Sequence, residues 1–573
     1  MKTLPRVDVV IVGGGWSGLL MAKELGARTS LSVLVLERGV PRDTSTYAQG
    51  MDELDYAIRL RMMQDASKET VTVRHSPKDR ALPIRQFASF LPGDGTGGAG
   101  EHWNGLTPRF APDCFDIRTR TVERYGLRRL PANSSIQDWA MTYDELEPYY
   151  TKAEQLLGVS GDSAGDPFAP PRSAPFPTPP MKTATYPALF GKAARSLGYH
   201  PYPAASSNLS RIYKNPDGIV RPPCQYCGYC ERFGCMVGAK AQPTNTLLPV
   251  IARQKGVTLR HGAKVRRVRH SNGQATGVTY VNGAGEEVLQ PAGLVILASW
   301  TLNNTRLLLL SKVGVAYDPS TGKGVVGRNF THQVTVRLNL FFRQPLNGFM
   351  GAGAAGVAIS DLDCDNFDHK ELTFIRGGGI SATALGARPI ANFGAVPLSL
   401  KRDWGSEWKK AAVEYFDRTA RLTCSAEHMA YRSNYLDLDP TYTDSSGDPL
   451  LRLTIDWYEN EHNTSEFFAA KMTEIGRAMD ATTTAATPPL RQYSVNHYQS
   501  THLQGGAIAG ASPESSVVNK YLQHWQTPNL FVLGASSFPQ NASGNPTLTL
   551  LAQTLMTADA LVGRYMKHPG ALA

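Results

Sequence analysis

The chain has 573 residues, with 59 Lys and Arg against 49 Asp and Glu, for a formal net charge of +10. That length exceeds one small module and calls for several domains or one large interleaved fold. Hydrophobic residues make up 42% and charged residues 19%, which excludes disorder as the default state. The positive excess is mild, and the absence of any run of five or six Lys/Arg argues against a nucleic-acid partner. An anionic substrate, a membrane surface or an acidic protein remains compatible with it. No window of about 18 apolar residues could span a bilayer. Only Met1–Arg6 precede the first apolar run, so the expectation is a chain without its own signal peptide, soluble or peripheral, whose export would rely on a partner's signal.

In chain order, the first element is the β-branched run Val7–Val12, the pattern of a strand buried on both faces. It leads into Gly13-Gly14-Gly15-Trp16-Ser17-Gly18, and Leu19, Leu20, Met21, Ala22 and Leu25 then recur at helical spacing. Gly13, Gly15 and Gly18 make the G-x-G-x-x-G fingerprint: a tight turn, close approach of backbone N–H groups to a pyrophosphate, and close helix–strand packing. The helix N-terminus then faces the phosphates. A second strand, Ser32 to Leu36, ends at Glu37, placed to bind a ribose hydroxyl pair.

Seven cysteines are present, and Cys224, Cys227, Cys230 and Cys235 form a C-x2-C-x2-C-x4-C array within segment 221–240. Four thiolates this close, with glycines between them, suit an iron–sulfur cluster. Structural zinc and unligated thiols are the alternatives. Cys114, Cys364 and Cys424 stand apart and are expected to be ordinary buried residues. Between Pro167 and Pro180, seven of fourteen residues are proline, the composition of an extended surface excursion. Further on, Val334–Leu340 and Leu450–Trp457 alternate as strands of an antiparallel sheet do.

The sequence resembles the glucose–methanol–choline (GMC) oxidoreductase family of flavoproteins. Besides the first glycine loop, the resemblance rests on the stretch Leu91 to Gly105, on Leu294–Ala298 with Leu307–Ser311, on Val326-Gly327-Arg328-Asn329-Phe330, and on His502 to Asp559. It implies an α/β fold, α+β overall: a Rossmann-like FAD-binding domain over 1–330 and 500–573, and an inserted antiparallel-sheet substrate domain over 331–499. It implies FAD against Gly13, Gly15, Trp16, Ser17, Gly18, Glu37 and Arg38, and against Gly97, Gly98, His102, Trp103, Asn104 and Gly105. Val265, Ala298, Gly534, Ala535, Asn545, Pro546 and Thr547 complete that set. His102 matches the position where some members attach FAD covalently; the alternative is a histidine that only contacts the flavin.

His502, followed by Gly505-Gly506, matches the family's active-site base, and Asn545 the second active-site position, filled there by His or Asn. The pairing has a chemical reason. Hydride removal from an alcohol carbon needs the hydroxyl proton taken away, so a neutral imidazole acts as base while a neutral amide orients the oxygen. His497 is the nearest competitor and lacks the glycine turn.

Within the family the chain resembles the flavoprotein subunits of bacterial membrane-bound sugar and sugar-acid dehydrogenases, in which the cluster is [3Fe-4S]; three of the four clustered cysteines would then bind iron. The resemblance implies a small subunit carrying a twin-arginine signal and a membrane-anchored multihaem cytochrome c at the periplasmic face of the inner membrane. Hydride would pass to flavin N5 and electrons through the cluster to the cytochrome. The favoured substrate is gluconate, oxidised to 2-keto-gluconate, with 2-keto-gluconate, sorbitol, fructose or glucose as alternatives. Arg376 is a candidate contact for a substrate carboxylate. An oxidase, or an idle flavin subunit serving another enzyme, are the contrasting readings, and the presence of both His502 and Asn545 opposes the second.

Overall fold

The computed structural model describes residues 1–47, 62, 64–66, 69–85, 90, 92–386, 394–397, 399–400, 403–486, 491–495 and 502–572. Val7–Val12 forms the expected strand near the centre of an eight-stranded sheet, flanked in parallel by Val33–Leu36 and Glu287–Leu297. Val9 to Val12 are buried because both faces are covered. Helix Trp16–Arg28 lies on the sheet through Leu19, Leu20, Met21, Ala22 and Leu25, all fully buried. Burying each such Leu contributes roughly 1.5–3 kcal/mol. The helix packs against the C-terminal helix Thr547–Ala560, which in turn packs on Tyr143–Leu157. Leu530–Val532 adds to the same sheet beside Glu287–Leu297, so the two ends of the chain close one core.

A second, antiparallel sheet runs in the order Thr483–Ala486, Val334–Phe341, Thr419–Ala426, Gly378–Thr383, Gly356–Ile359 and Tyr202–Pro203. The period-2 alternation of its strand Val334–Phe341 gives it two unlike faces. Val334, Val336, Leu338 and Leu340 pack toward helix Glu459–Ala478, whereas Thr335, Arg337 and Asn339 face a cavity. The expected strand within Leu450–Trp457 is found at Pro449–Thr454, but in a separate four-stranded sheet, antiparallel to Tyr435–Thr443 and parallel to Thr72–Arg74. Segments 72–74, 82–83 and 202–203 therefore reach into sheets otherwise built from residues after 331, and the two halves are interleaved.

The proline-rich segment 167–180 forms no helix or strand. It is tied down where Tyr143 Oη and Arg109 Nη1 donate to the carbonyl of Pro171. Among the described residues, no helix is long and apolar enough to cross a membrane.

Candidate active site

The glycine loop is shaped by close approach. Gly13 has φ +107°, and a Cβ there would sit 2.5 Å from the Ala298 carbonyl oxygen; one at Gly18 would sit 2.0 Å from that of Gly13. Gly15, by contrast, opens on space, with nothing nearer than the Gly97 carbonyl at 3.9 Å. Two glycines thus allow the packing and the third leaves a cradle at the helix N-terminus. From this cradle a cavity of about 230 Å³ extends past Trp16, Ser17, Glu37, Arg38 and Val265. Its other walls come from Gly97, Gly98, Trp103, Ala298, Gly534, Ala535, Pro546 and Thr547. Gly18 and Gly105 do not line it; they serve packing.

Glu37 accepts N–H bonds from Gly14 and Gly39, each 2.8 Å, and burial pushes its carboxyl up. Arg38 is paired with Glu69 and Asp94. Exposed backbone N–H groups at one end and a fixed carboxylate beyond them are a donor and acceptor set that fits a dinucleotide.

A larger cavity of about 800 Å³ adjoins the first, sharing Ala99, Trp103 and Thr547 as walls. It holds His102, Asn104, His502 and Asn545, and the polar face of the second sheet forms part of its wall. Short pairing of Thr331–His332 with Leu503–Gln504 brings residue 333 beside residue 502. Gly505 and Gly506, at φ +87° and +91°, let this stretch pack on the turn at 327–330: a Cβ on Gly505 would meet the Asn329 carbonyl at 1.9 Å. That is the physical reason for the glycine pair after the histidine.

His502 Nδ1 lies 2.5 Å from Gln333 Oε1, and Asn545 Nδ2 lies 3.1 Å from His502 Nε2. The Gln333 amide nitrogen donates toward the carbonyls of Ala542, Ser543 and Gly544. Its oxygen therefore has to face His502, so the imidazole carries its proton on Nδ1 and presents the lone pair of Nε2 to the cavity. Burial pushes His502 down to about 4, a fall that the carboxylate of Glu231 opposes. Gln333 had no signature in the sequence; an isolated amide before a strand carries no spacing pattern. His497 lies outside the described residues.

The second glycine loop is locked from behind. Glu101, fully buried, accepts from Tyr47 Oη, Gln242 Nε2, Thr244 Oγ1 and the Thr244 N–H. The buried ammonium of Lys240 donates to the carbonyls of Glu101, Trp103, Cys230 and Phe233 at 2.7–3.2 Å. The Arg232 N–H donates to the His102 carbonyl at 2.6 Å. The cysteine loop is thereby bonded to the loop bearing His102. Burial, with Lys240 and Arg232 nearby, pushes the His102 imidazole down to about 3, so it is neutral.

Of the four clustered cysteines, Cys230 is buried, Cys224 and Cys235 half-buried and Cys227 exposed. Burial pushes the Cys224 thiol up to about 11 and Cys230 to about 12. Backbone N–H groups of Tyr226 and Lys240 point at Cys224 and Cys235 Sγ, at 3.4 and 3.5 Å. Among the described residues, these four sulfurs are not gathered tightly enough to share a single ion.

Two expectations are corrected. Arg376 is no substrate contact: it is 1% exposed, with its guanidinium on Glu427 at 2.8 Å and Asp113 at 3.0 Å. Cys114 and Cys364 are not isolated, their sulfurs lying 3.6 Å apart beside that same guanidinium. With Asp113 they form the one close set of potential metal ligands among the described residues, but Arg376 already supplies the positive charge there.

Comparisons with known proteins agree with this architecture. The GMC oxidoreductase N and C models match residues 190–335 and 430–554. The chain is 42% identical to the gluconate 2-dehydrogenase flavoprotein of Pantoea cypripedii, over 99% of this chain and 95% of that protein. It is 27% identical to the fructose dehydrogenase large subunit of Gluconobacter japonicus, over 97% of each. The crystal structure of pyridoxine 4-oxidase from Mesorbium loti has the same fold, with a TM-score of 0.58 at 16% identity, over 99% of this chain and 100% of that one. The chain is a member of the GMC oxidoreductase family, FAD-binding enzymes that act on CH–OH groups.

Proposed function

We propose that this protein is the catalytic flavoprotein subunit of a dehydrogenase that oxidises a hydroxyl group of a sugar acid, with D-gluconate to 2-keto-D-gluconate as the first candidate. The observation that carries the chemistry is the neutral His502, its Nδ1–H held by Gln333 and its Nε2 facing Asn545. The substrate class is supported by the relative in Pantoea cypripedii, whose printed name is gluconate 2-dehydrogenase flavoprotein.

Bound FAD supplies the two-electron acceptor for hydride. His502 Nε2 takes the hydroxyl proton as the carbon gives up hydride, and the Asn545 amide N–H holds the same oxygen in line. Burial serves this role by keeping the imidazole unprotonated at neutral pH. Gln333 bonds to His502 and to the 542–544 backbone, and acts as a positioning residue. In this reading Glu37 would bind the ribose, the Gly13–Gly18 loop would hold the pyrophosphate, and Ala99, Trp103 and Thr547, shared by the two cavities, would border the flavin.

For electron exit we infer an iron–sulfur cluster on Cys224, Cys227, Cys230 and Cys235, [3Fe-4S] on three of them. The C-x2-C-x2-C-x4-C spacing within twelve residues favours this over zinc, whose ribbon sites usually draw two cysteine pairs from distant parts of a chain. The Lys240 and Arg232 bonds would hold the loop that carries the cluster against the loop that bears His102. Onward transfer would reach a membrane-bound cytochrome c at the periplasmic face, with a small signal-bearing subunit for export. The name of the Gluconobacter relative, a large subunit, agrees with an assembly of this kind.

Under anaerobic conditions D-gluconate should bleach the flavin faster than 2-keto-gluconate, sorbitol, fructose or glucose; bleaching by neutral sugars alone contradicts the sugar-acid assignment, and hydrogen peroxide formed in air without an added acceptor points to an oxidase. The purified protein should contain about three irons and four labile sulfides per flavin, and acid precipitation should leave flavin in the pellet. Zinc in place of iron overturns the cluster, and fully released flavin overturns a covalent link from His102 to FAD in favour of a histidine that only contacts the flavin. Gln333→Leu should lower the limiting rate of flavin reduction by about 10²-fold with FAD content unchanged. In the wild type, protonation of His502 inactivates it, so that rate should rise with pH through about 4 and stay level above it.

A further inference from the structure

Resting on the sugar-acid reading above, we propose that Arg337 anchors the carboxylate of the substrate and so sets the preference for acids over neutral polyols. Five arginines line the cavity that holds His502 and Asn545: Arg109, Arg172, Arg232, Arg337 and Arg421. Arg109 is bonded to Glu147 and Glu154, and Arg172 to Glu154. Arg421 Nε donates to Asn339 Oδ1 at 2.9 Å, and Arg232 is engaged within the protein. Arg337 alone of the five has no hydrogen bond or ion pair among the described residues.

Its position in the sheet explains why. Along Val334–Phe341 the side chains of Val336 and Leu338 go to the core, which turns Arg337 onto the opposite, cavity face. Across the sheet Arg337 registers with Thr423, and Thr423 with Ser381, so its neighbours in the row are hydroxyls that cannot neutralise a guanidinium. Of the acids on the cavity wall, half-buried Asp363 is taken up by Ser543 Oγ and the Cys364 N–H, both 2.9 Å, Asp166 by Ser360 Oγ and the Phe168 N–H, and Asp162 by the Ala164 N–H, while Glu231 is engaged within the protein.

A half-buried guanidinium among Ser, Thr and Asn loses hydration without gaining a counter-charge. A ligand carboxylate supplies that charge through two parallel hydrogen bonds. The Thr335, Ser381, Thr383, Thr423 and Ser425 hydroxyls on the same wall suit the hydroxyls of an open-chain sugar acid. Gln333, at the start of this strand, holds His502, so one strand carries both the support of the base and the anionic anchor.

The test is the concentration dependence of anaerobic flavin bleaching in the holoenzyme, wild type against Arg337→Gln and Arg337→Lys, with D-gluconate and sorbitol. For Arg337→Gln, half-saturation by gluconate should rise roughly 10- to 100-fold, with the limiting rate nearly unchanged. Arg337→Lys should recover much of the affinity, which a loss of folding would not allow. If gluconate bleaches the wild type and Arg337→Gln saturates at the same concentration, the anchor assignment is overturned while the sugar-acid reading stands. If gluconate fails to bleach the wild type and sorbitol succeeds, the sugar-acid reading itself falls, and the anchor with it.

Discussion

The amide of Gln333 can point only one way, and the site depends on that. With its nitrogen facing the carbonyls of 542–544, its oxygen is turned to His502, which fixes the imidazole tautomer and frees Nε2 as the acceptor. One residue thereby ties the imidazole at 502 to the loop that carries Asn545. The arrangement needs the Thr331–His332 pairing with Leu503–Gln504, and that pairing needs the glycines at 505 and 506 to pass under the turn at 327–330. Three segments far apart in sequence meet because small backbones allow the approach, and the chemistry follows from a hydrogen-bond direction.

A second lock acts on the other side of the cavity. Lys240 has its charge buried among four carbonyls, from the loop behind His102 and from the cysteine loop, while Glu101 is held by four donors of its own. Buried charges of this kind are costly to leave unpaired, so the two loops are fixed relative to each other. The cavity is thus bounded by rigid parts: the Gln333–His502–Asn545 set, the His102 loop, and the polar face of the antiparallel sheet.

The parts of this design carried by local patterns were legible in the sequence. The β-branched run with its glycine fingerprint announced a strand, turn and helix, and these occur at Val7–Val12 and Trp16–Arg28. The alternation in Val334–Leu340 announced a two-faced strand. What stayed hidden was set by distant partners. Arg376 looked available because nothing in its neighbourhood of sequence shows that Asp113 and Glu427 close on it. Cys114 and Cys364 are 250 positions apart, and their contact has no sequence signal. The Leu450–Trp457 region read correctly as a strand, but the partner at Thr72–Arg74 could not be inferred from alternation. Arg337 is the converse case, a cavity residue set apart by having no side-chain partner among the described residues.

The central claim is that His502 removes the substrate's hydroxyl proton as hydride leaves. The most direct measurement is the anaerobic rate of flavin bleaching after mixing His502→Ala holoenzyme with D-gluconate, compared with wild type at equal flavin content. A fall of about 10³-fold or more with FAD still bound is the predicted result. A rate within a few-fold of wild type would contradict it.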